Sequence, residues 1–266
     1  LALAQIEVEP ARVDRNVERA VGAIEEGADR GAELVVLPEL FATGYFAFEN
    51  YSRTAESIGG SIHERIRSAA EDASVSVLAG TIVEDLELSA RAGHRVPAES
   101  GFANTAVLFD GDGRNRLVYR KHHLFGYGSR ESDLLTPGET LETVDVGGFS
   151  VGVATCYDLR FPELFRELAA AGATLTLVPS AWPYPRVEHW RLLPRARAVE
   201  NQAFVAAANG VGTFEETSLL GRSTVYDPWG TTIGGVGDEE GTLVVDIDPA
   251  RVDRIRSEFP ALADRR

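Results

Sequence analysis

Apolar positions along this chain alternate between two spacings, and the alternation predicts the order of its elements. Short stretches rich in apolar and β-branched residues at 1–7, 33–37, 74–83, 149–155 and 174–178 predict strands, the one at 33–37 buried and stopped by Pro38. Between them lie stretches with helical spacing. Residues 13–31 place Val13, Val17, Ala20, Val21 and Ile24 on one face, and 61–73, 161–171 and 186–200 follow the same period. Pro194 falls inside the last of these and predicts a kink or a helix start there. Residues 104–109 and 116–120 flank Asp110-Gly111-Asp112-Gly113, which predicts a hairpin. Residues 86–101 are polar and punctuated by Gly and Pro, which predicts a surface loop. Four more strands are expected at 203–208, 221–226, 231–234 and 242–246, with Asp227-Pro228-Trp229-Gly230 turning between two of them.

This mixture of βα units and hairpins predicts an α/β protein with a mixed sheet, two layers of sheet and helices outside. No repeat, low-complexity tract or linker divides residues 1–266, so one domain is expected.

Composition narrows the class. With 266 residues, 44% of them hydrophobic, the chain can fill a complete core. No stretch approaches the ~20 apolar residues that span a bilayer. The first residues, Leu1-Ala2-Leu3-Ala4-Gln5-Ile6, reach Glu7 and Glu9 with no basic leader, so the expected compartment is the cytoplasm, with no membrane partner. A single cysteine forms neither an intramolecular disulfide nor a Cys-pair zinc site. With 26 basic against 41 acidic residues the net charge is −15, which argues against nucleic acid as a partner. Lys121 is the only lysine; the other 25 basic residues are arginine, a bias that GC-rich coding and adaptation to high salt both produce.

Three side chains at predicted strand ends carry candidate chemistry. Cys156 closes the run 149–155 just before a helix expected near Leu159 or Arg160, where the helix dipole favours a thiolate. The competing reading is a small buried apolar residue. Glu39 follows the run 33–37 and Pro38; desolvated there, its carboxyl would suit a general acid/base, whereas on position alone it is a surface acid. Lys121 ends the strand 116–120. A chain that otherwise uses arginine but keeps lysine here either needs a compact ammonium charge or has kept it by chance. Nucleophile, acid/base and electrophile at three strand C-termini could gather at one mouth of a sheet.

Leu37-Pro38-Glu39, then Tyr119-Arg120-Lys121-His122-His123-Leu124-Phe125, then Cys156-Tyr157-Asp158-Leu159-Arg160-Phe161-Pro162-Glu163 resemble the three signatures of the nitrilase superfamily of carbon–nitrogen hydrolases. The order matches, and the resemblance runs from residue 1 to about residue 258. It implies an α-β-β-α sandwich, a Glu39–Lys121–Cys156 triad, no metal or other cofactor, and a homodimer or larger homo-oligomer. The segment 131–138 resembles the one that supplies a second glutamate, which makes Glu131 the candidate to position Lys121 and the substrate nitrogen.

The resemblance further implies acyl transfer through a thioester, with Lys121 and the Tyr157 backbone N–H holding the oxyanion. His189-Trp190 and residues 195–202 resemble a helix beside the site; with Arg160 and Glu163 they are read as braces for its loops. His122 and His123 are read as loop anchors rather than metal ligands, no further His or Cys standing at suitable spacing.

Cys156-Tyr157-Asp158 together with residues 221–230 resembles the ω-amidase-like branch. That implies a small linear amide substrate, with a far carboxylate met by an arginine such as Arg130 or Arg186. N-carbamoyl compounds are the alternative substrate class, followed by nitriles or a non-catalytic interaction module. Acyl-pocket residues are expected from loops 43–50, 126–132 and 182–187.

Overall fold

A computed structural model describes residues 1–265. The chain opens with β1 (Ala2–Gln5), β2 (Leu34–Val36), β3 (Ser76–Asp85), β4 (Phe102–Phe109) and β5 (Asn115–Arg120), which form one sheet. A second sheet follows from β6 (Thr143–Val146), β7 (Phe149–Val153), β8 (Leu175–Ser180) and β9 (Phe204–Asn209). A separate hairpin, β10 (Val211–Phe214) and β11 (Thr217–Leu220), interrupts it before β12 (Thr224–Tyr226) and β13 (Thr232–Gly235) complete it. Finally β14 (Gly241–Val244) returns to the first sheet, antiparallel to β1. Both sheets are mixed: β1–β2–β3 and β7–β8–β9 run parallel, and hairpin pairs extend them.

The period of two within each strand builds the layers. In β9, Phe204, Ala206 and Ala208 face the space between the sheets with Leu3, Val36 and Leu78 of the first sheet. Val205 and Ala207 point the other way, onto Leu164, Phe165 and Leu168 of helix Pro162–Ala170 and Trp190 and Ala198 of helix Val187–Asn201. On the far side, Ala4, Val35 and Val77 meet Val17, Ala20 and Ile24 of helix Val13–Asp29 and Ile62 and Ile66 of helix Ser61–Ala73. The result is the expected four-layer α-β-β-α order.

Several local expectations need correction. Residues 86–101 are not all loop, because Leu86–Arg91 forms a helix capped by the Asp85 carboxylate on the Leu88 N–H. Helix Val187–Asn201 is continuous through a buried Pro194, so Pro194 does not mark a helix start. Packing of Trp190 and Ala198 on the sheet outweighs the one lost backbone hydrogen bond. β6 and helix Ala250–Glu258 lie where no strand or helix was expected. Among the described residues no helix is long and apolar enough to cross a membrane.

Candidate active site

β2, β7 and β8 lie within parallel sets, and β5 runs in the same direction as β3 because two antiparallel pairings separate them. The segments leaving β2, β5 and β7 therefore converge, and they bring Glu39, Lys121 and Cys156 together, as three strand ends in sequence had suggested.

Glu39 is placed by a close crossing. Gly80 of β3 passes under the Pro38 carbonyl so tightly that a Cβ there would sit 2.0 Å from that oxygen. The irregularity in β3 pairing between Ala79 and Ile82 accommodates the contact, and the Thr81 hydroxyl accepts from the Leu40 N–H at 2.7 Å. Glu39 itself is 1% exposed. Its Oε1 accepts from Lys121 Nζ at 2.8 Å and Asn104 Nδ2 at 2.9 Å, and its Oε2 from the Ala181 N–H at 2.9 Å. Burial pushes its carboxyl above the ordinary value; Lys121 opposes and Glu131 reinforces the rise.

Lys121 is equally buried and bound between two acids. Its Nζ donates to Glu131 Oε1 at 2.8 Å and Oε2 at 3.0 Å besides Glu39. It also lies 5.4 Å from the centre of the Tyr45 ring. Burial alone would lower this ammonium, but Glu131 and Glu39 together hold it well above its ordinary value. Glu131 opens a short helix, Glu131–Leu134, and also accepts from the Tyr45 hydroxyl at 3.0 Å and the Phe125 N–H at 2.7 Å. Asn104 of β4 had no sequence signal, being one of two adjacent polar residues, with Thr105, inside an otherwise apolar strand. Its amide donates to both glutamates, at 2.9 Å and 3.0 Å.

Cys156 sits at an elbow with φ of +46°, and a 3-10 helix, Cys156–Arg160, begins on it. The helix Pro162–Ala170 starts six positions further on, too late for its dipole to favour a thiolate. Burial and then Glu39 instead push the Cys156 thiol well above its ordinary value, against partial opposition from Lys121. The expectation of a lowered thiol is therefore wrong: burial and an adjacent acid outweigh a short, late helix.

Several residues brace this elbow. Asp158 accepts from the Thr155 N–H at 2.8 Å, the Tyr119 hydroxyl at 2.5 Å and the His123 N–H at 2.9 Å, with His123 Nδ1 2.8 Å away. His122 Nδ1 lies 3.1 Å from the Arg120 carbonyl, so both histidines anchor the loop as expected. Arg197 donates to the Leu159 carbonyl at 3.0 Å and 2.8 Å and to Glu200 at 2.7 Å. Glu163, by contrast, is exposed and makes no ion pair among the described residues.

A cavity of about 290 Å³ opens over Cys156 and Lys121, at the small end of ligand pockets. Its walls come from Tyr45, Phe125, Tyr127 and Trp182, on or beside the expected loops, and additionally from Thr217 of the unforeseen hairpin. Arg160 and Arg186 line it too. The Arg160 guanidinium stacks 5.0 Å from Trp182 and meets His189 Nδ1 at 3.2 Å, while Arg186 lies over Phe125 at 5.7 Å. Arg130 does not reach the cavity; it is half exposed and pairs with Glu49.

Fold and site together define a cysteine-containing hydrolase centre, and comparison with known proteins specifies it. A family model described as carbon–nitrogen hydrolase matches residues 1–257. The 2-oxoglutaramate amidase of Paenarthrobacter nicotinovorans is 36% identical over 239 residues, covering 88% of this chain and 79% of the relative. Omega-amidase NIT2 of Homo sapiens is 34% identical, covering 100% and 94%. Among solved structures, Nit3 of Saccharomyces cerevisiae has a TM-score of 0.87 at 30% identity, covering 100% of this chain and 95% of its own. A mutant of the amidase from Nesterenkonia sp. AN1, with acrylamide added at its active-site cysteine, has a TM-score of 0.81 at 30% identity and 98% coverage of both chains. The chain belongs to the carbon–nitrogen hydrolase family. It is an amidase, hydrolysing amides through a cysteine-bound intermediate.

Proposed function

We propose that this enzyme hydrolyses a short linear primary amide bearing a carboxylate at its far end, such as a dicarboxylic acid monoamide. The observation that carries the reading is the pair Arg160 and Arg186 lining the cavity above Cys156, neither of them in an ion pair among the described residues. Unpaired guanidiniums beside a small aromatic cavity suit a carboxylate, which they can hold bidentately, and their distance from the thiol sets the acyl length. The names of the relatives, 2-oxoglutaramate amidase and omega-amidase, support the same substrate class.

In the chemistry proposed, Glu39 takes the Cys156 proton and the thiolate attacks the amide carbon. Lys121 and the Tyr157 backbone N–H receive the oxyanion. Tyr157 lies in the first turn of its 3-10 helix, where N–H groups lack intrahelical acceptors. Glu39 then delivers its proton to the leaving nitrogen, ammonia departs and a Cys156 thioester remains. Water, deprotonated by Glu39, attacks the thioester and releases the carboxylic acid and the thiol. Glu131 holds Lys121, but Lys121, Asn104, the Tyr45 hydroxyl and the Phe125 N–H already fill both of its oxygens, so the expected contact with the substrate nitrogen is not part of the reading.

Ammonia release from a dicarboxylic monoamide, its methyl ester, an N-carbamoyl amino acid and an aliphatic nitrile tests the substrate. The monoamide is expected to be preferred. Arg160→Ala and Arg186→Ala should each raise its KM about 10- to 100-fold, the size of a charge-assisted contact, while sparing the ester. Preference for the ester discards the carboxylate contact. Turnover of the carbamoyl compound alone moves the enzyme to that class, and of the nitrile alone overturns the amidase substrate.

The reading includes a homo-oligomer. Leu192 and Val199, seven residues apart, share the solvent-facing side of helix Val187–Asn201, and Val199 borders Trp229 and Phe259, all three of them exposed. Sedimentation equilibrium should give a mass of at least two chains, falling towards one in Leu192→Glu/Val199→Glu; a monomeric native protein removes the proposal.

A further inference from the structure

We propose that Asn104 is a positioning residue of the reaction, whose side-chain amide fixes which oxygen of Glu39 faces Cys156. The inference rests on the reading of Glu39 as the proton shuttle.

A carboxylate oxygen has two good acceptor directions. On Glu39 Oε1 both are taken, by Lys121 Nζ at 2.8 Å and Asn104 Nδ2 at 2.9 Å. Oε2 has one partner, the Ala181 N–H at 2.9 Å, and keeps a direction free for the thiol proton. Lys121 cannot impose this arrangement by itself, because its remaining contacts go to the two oxygens of Glu131. Asn104 spends its second N–H on Glu131 Oε1 at 3.0 Å, so a single amide spans both acids.

The residue type also fits. Two carboxylates and one ammonium leave the buried cluster short of one positive charge if both acids are ionised. A second cation would hold Glu39 too firmly as a carboxylate to collect and return a proton. A third acid would add repulsion. A neutral amide supplies two donors and no charge. Asn104 bears a cost for doing so, since its Oδ1 is buried without a hydrogen-bond partner. A residue retained only for strand stability has no reason to leave a carbonyl orphaned, because an apolar side chain would pack there without the loss. The strand does not depend on the amide either: its ladder contact to the Lys121 N–H, at 2.9 Å, uses the Asn104 backbone carbonyl.

The test is the pH dependence of kcat/KM in Asn104→Ala and Asn104→Ser, with Glu39→Gln alongside. Removing a donor to a carboxylate raises its pKa, so the acidic limb should move up by about one pH unit. Turnover should fall about 10²-fold with KM changed less than about threefold, because the free substrate site is untouched. Asn104→Asp should fall below Asn104→Ala at neutral pH, as a third buried acid is worse than a missing donor. If Asn104→Ala fails to fold, Asn104→Ser decides, read on protein with native circular dichroism. A folded variant whose acidic limb stays at the wild-type position overturns the inference, whether or not its rate falls. Should Glu39→Gln retain activity, the shuttle reading itself fails; with Glu39→Gln inactive and the Asn104 profiles unmoved, only this inference does.

Discussion

Cys156→Ala and Cys156→Ser should both fold and both lose turnover by about 10⁴-fold or more, the scale seen when a covalent nucleophile is removed. Folding is expected because the side chain is small and its contacts lie at the edge of a cluster built by Leu159, Leu164, Trp182 and Trp190. Ala and Ser meet the same cost at the elbow φ of +46° that cysteine meets. The serine variant fails for a chemical reason. Burial and Glu39 already keep the thiol well above its usual value, and a hydroxyl in that place is further from ionisation still.

The same geometry fixes the pH behaviour of the native enzyme. Glu39 must be ionised to take the thiol proton, and burial raises its carboxyl, so activity should be lost on acidification at a pH above the ordinary glutamate pKa of about 4.3. Because Cys156 is the sole cysteine, iodoacetamide should add one label per chain and abolish activity in step. Measurable near-native turnover by Cys156→Ala in an ammonia assay would end the mechanism.

Lys121→Arg should fail almost as completely as Lys121→Ala although it keeps the charge. The ammonium has no side-chain exposure and touches three carboxylate oxygens within 2.8–3.0 Å. A planar guanidinium is longer and wider and would have to displace Glu39, Glu131 or the Tyr45 ring. A loss of about 10²–10³-fold is expected from the oxyanion donor alone, and more if Glu39 moves. The alanine variant adds a stability defect. It strands two buried acids, at about 3–5 kcal/mol, so its melting temperature should drop where that of Cys156→Ala does not. Wild-type kinetics for Lys121→Arg would show that the lone lysine stands there by chance.

The large periodic features were legible because one residue's character repeats down an element. The run Leu34–Val36 reads as a doubly buried strand, and Val17, Ala20 and Ile24 as one helix face. The positions of Glu39, Lys121 and Cys156 were legible from motif and strand-end placement. Other parts lacked such repetition. The β10–β11 hairpin is four residues a strand with mixed burial, so neither period shows. Asn104 has meaning only through partners 65 and 27 positions away. Arg160, read as a brace, also lines the cavity because the 3-10 turn after Cys156 swings it over Trp182. The direction of the thiol shift depended on burial and on the neighbour Glu39, both three-dimensional quantities.

The assembly of these groups across two sheets has a consequence for how the gene could be divided. Glu39, Lys121, Asn104 and Glu131 all precede β6, while Cys156 and the Ala181 N–H that meets Glu39 follow it. A chain cut between Leu135 and Thr143 would leave one fragment with the acids and the amine and another with only the thiol. Rejoining them is not a simple docking of halves. β14 from the second fragment completes the sheet of the first beside β1, so the pieces must interlace strand by strand before the thiol meets its base. Such a pair would act as a coincidence detector, silent until both fragments are held together long enough for two sheets to close.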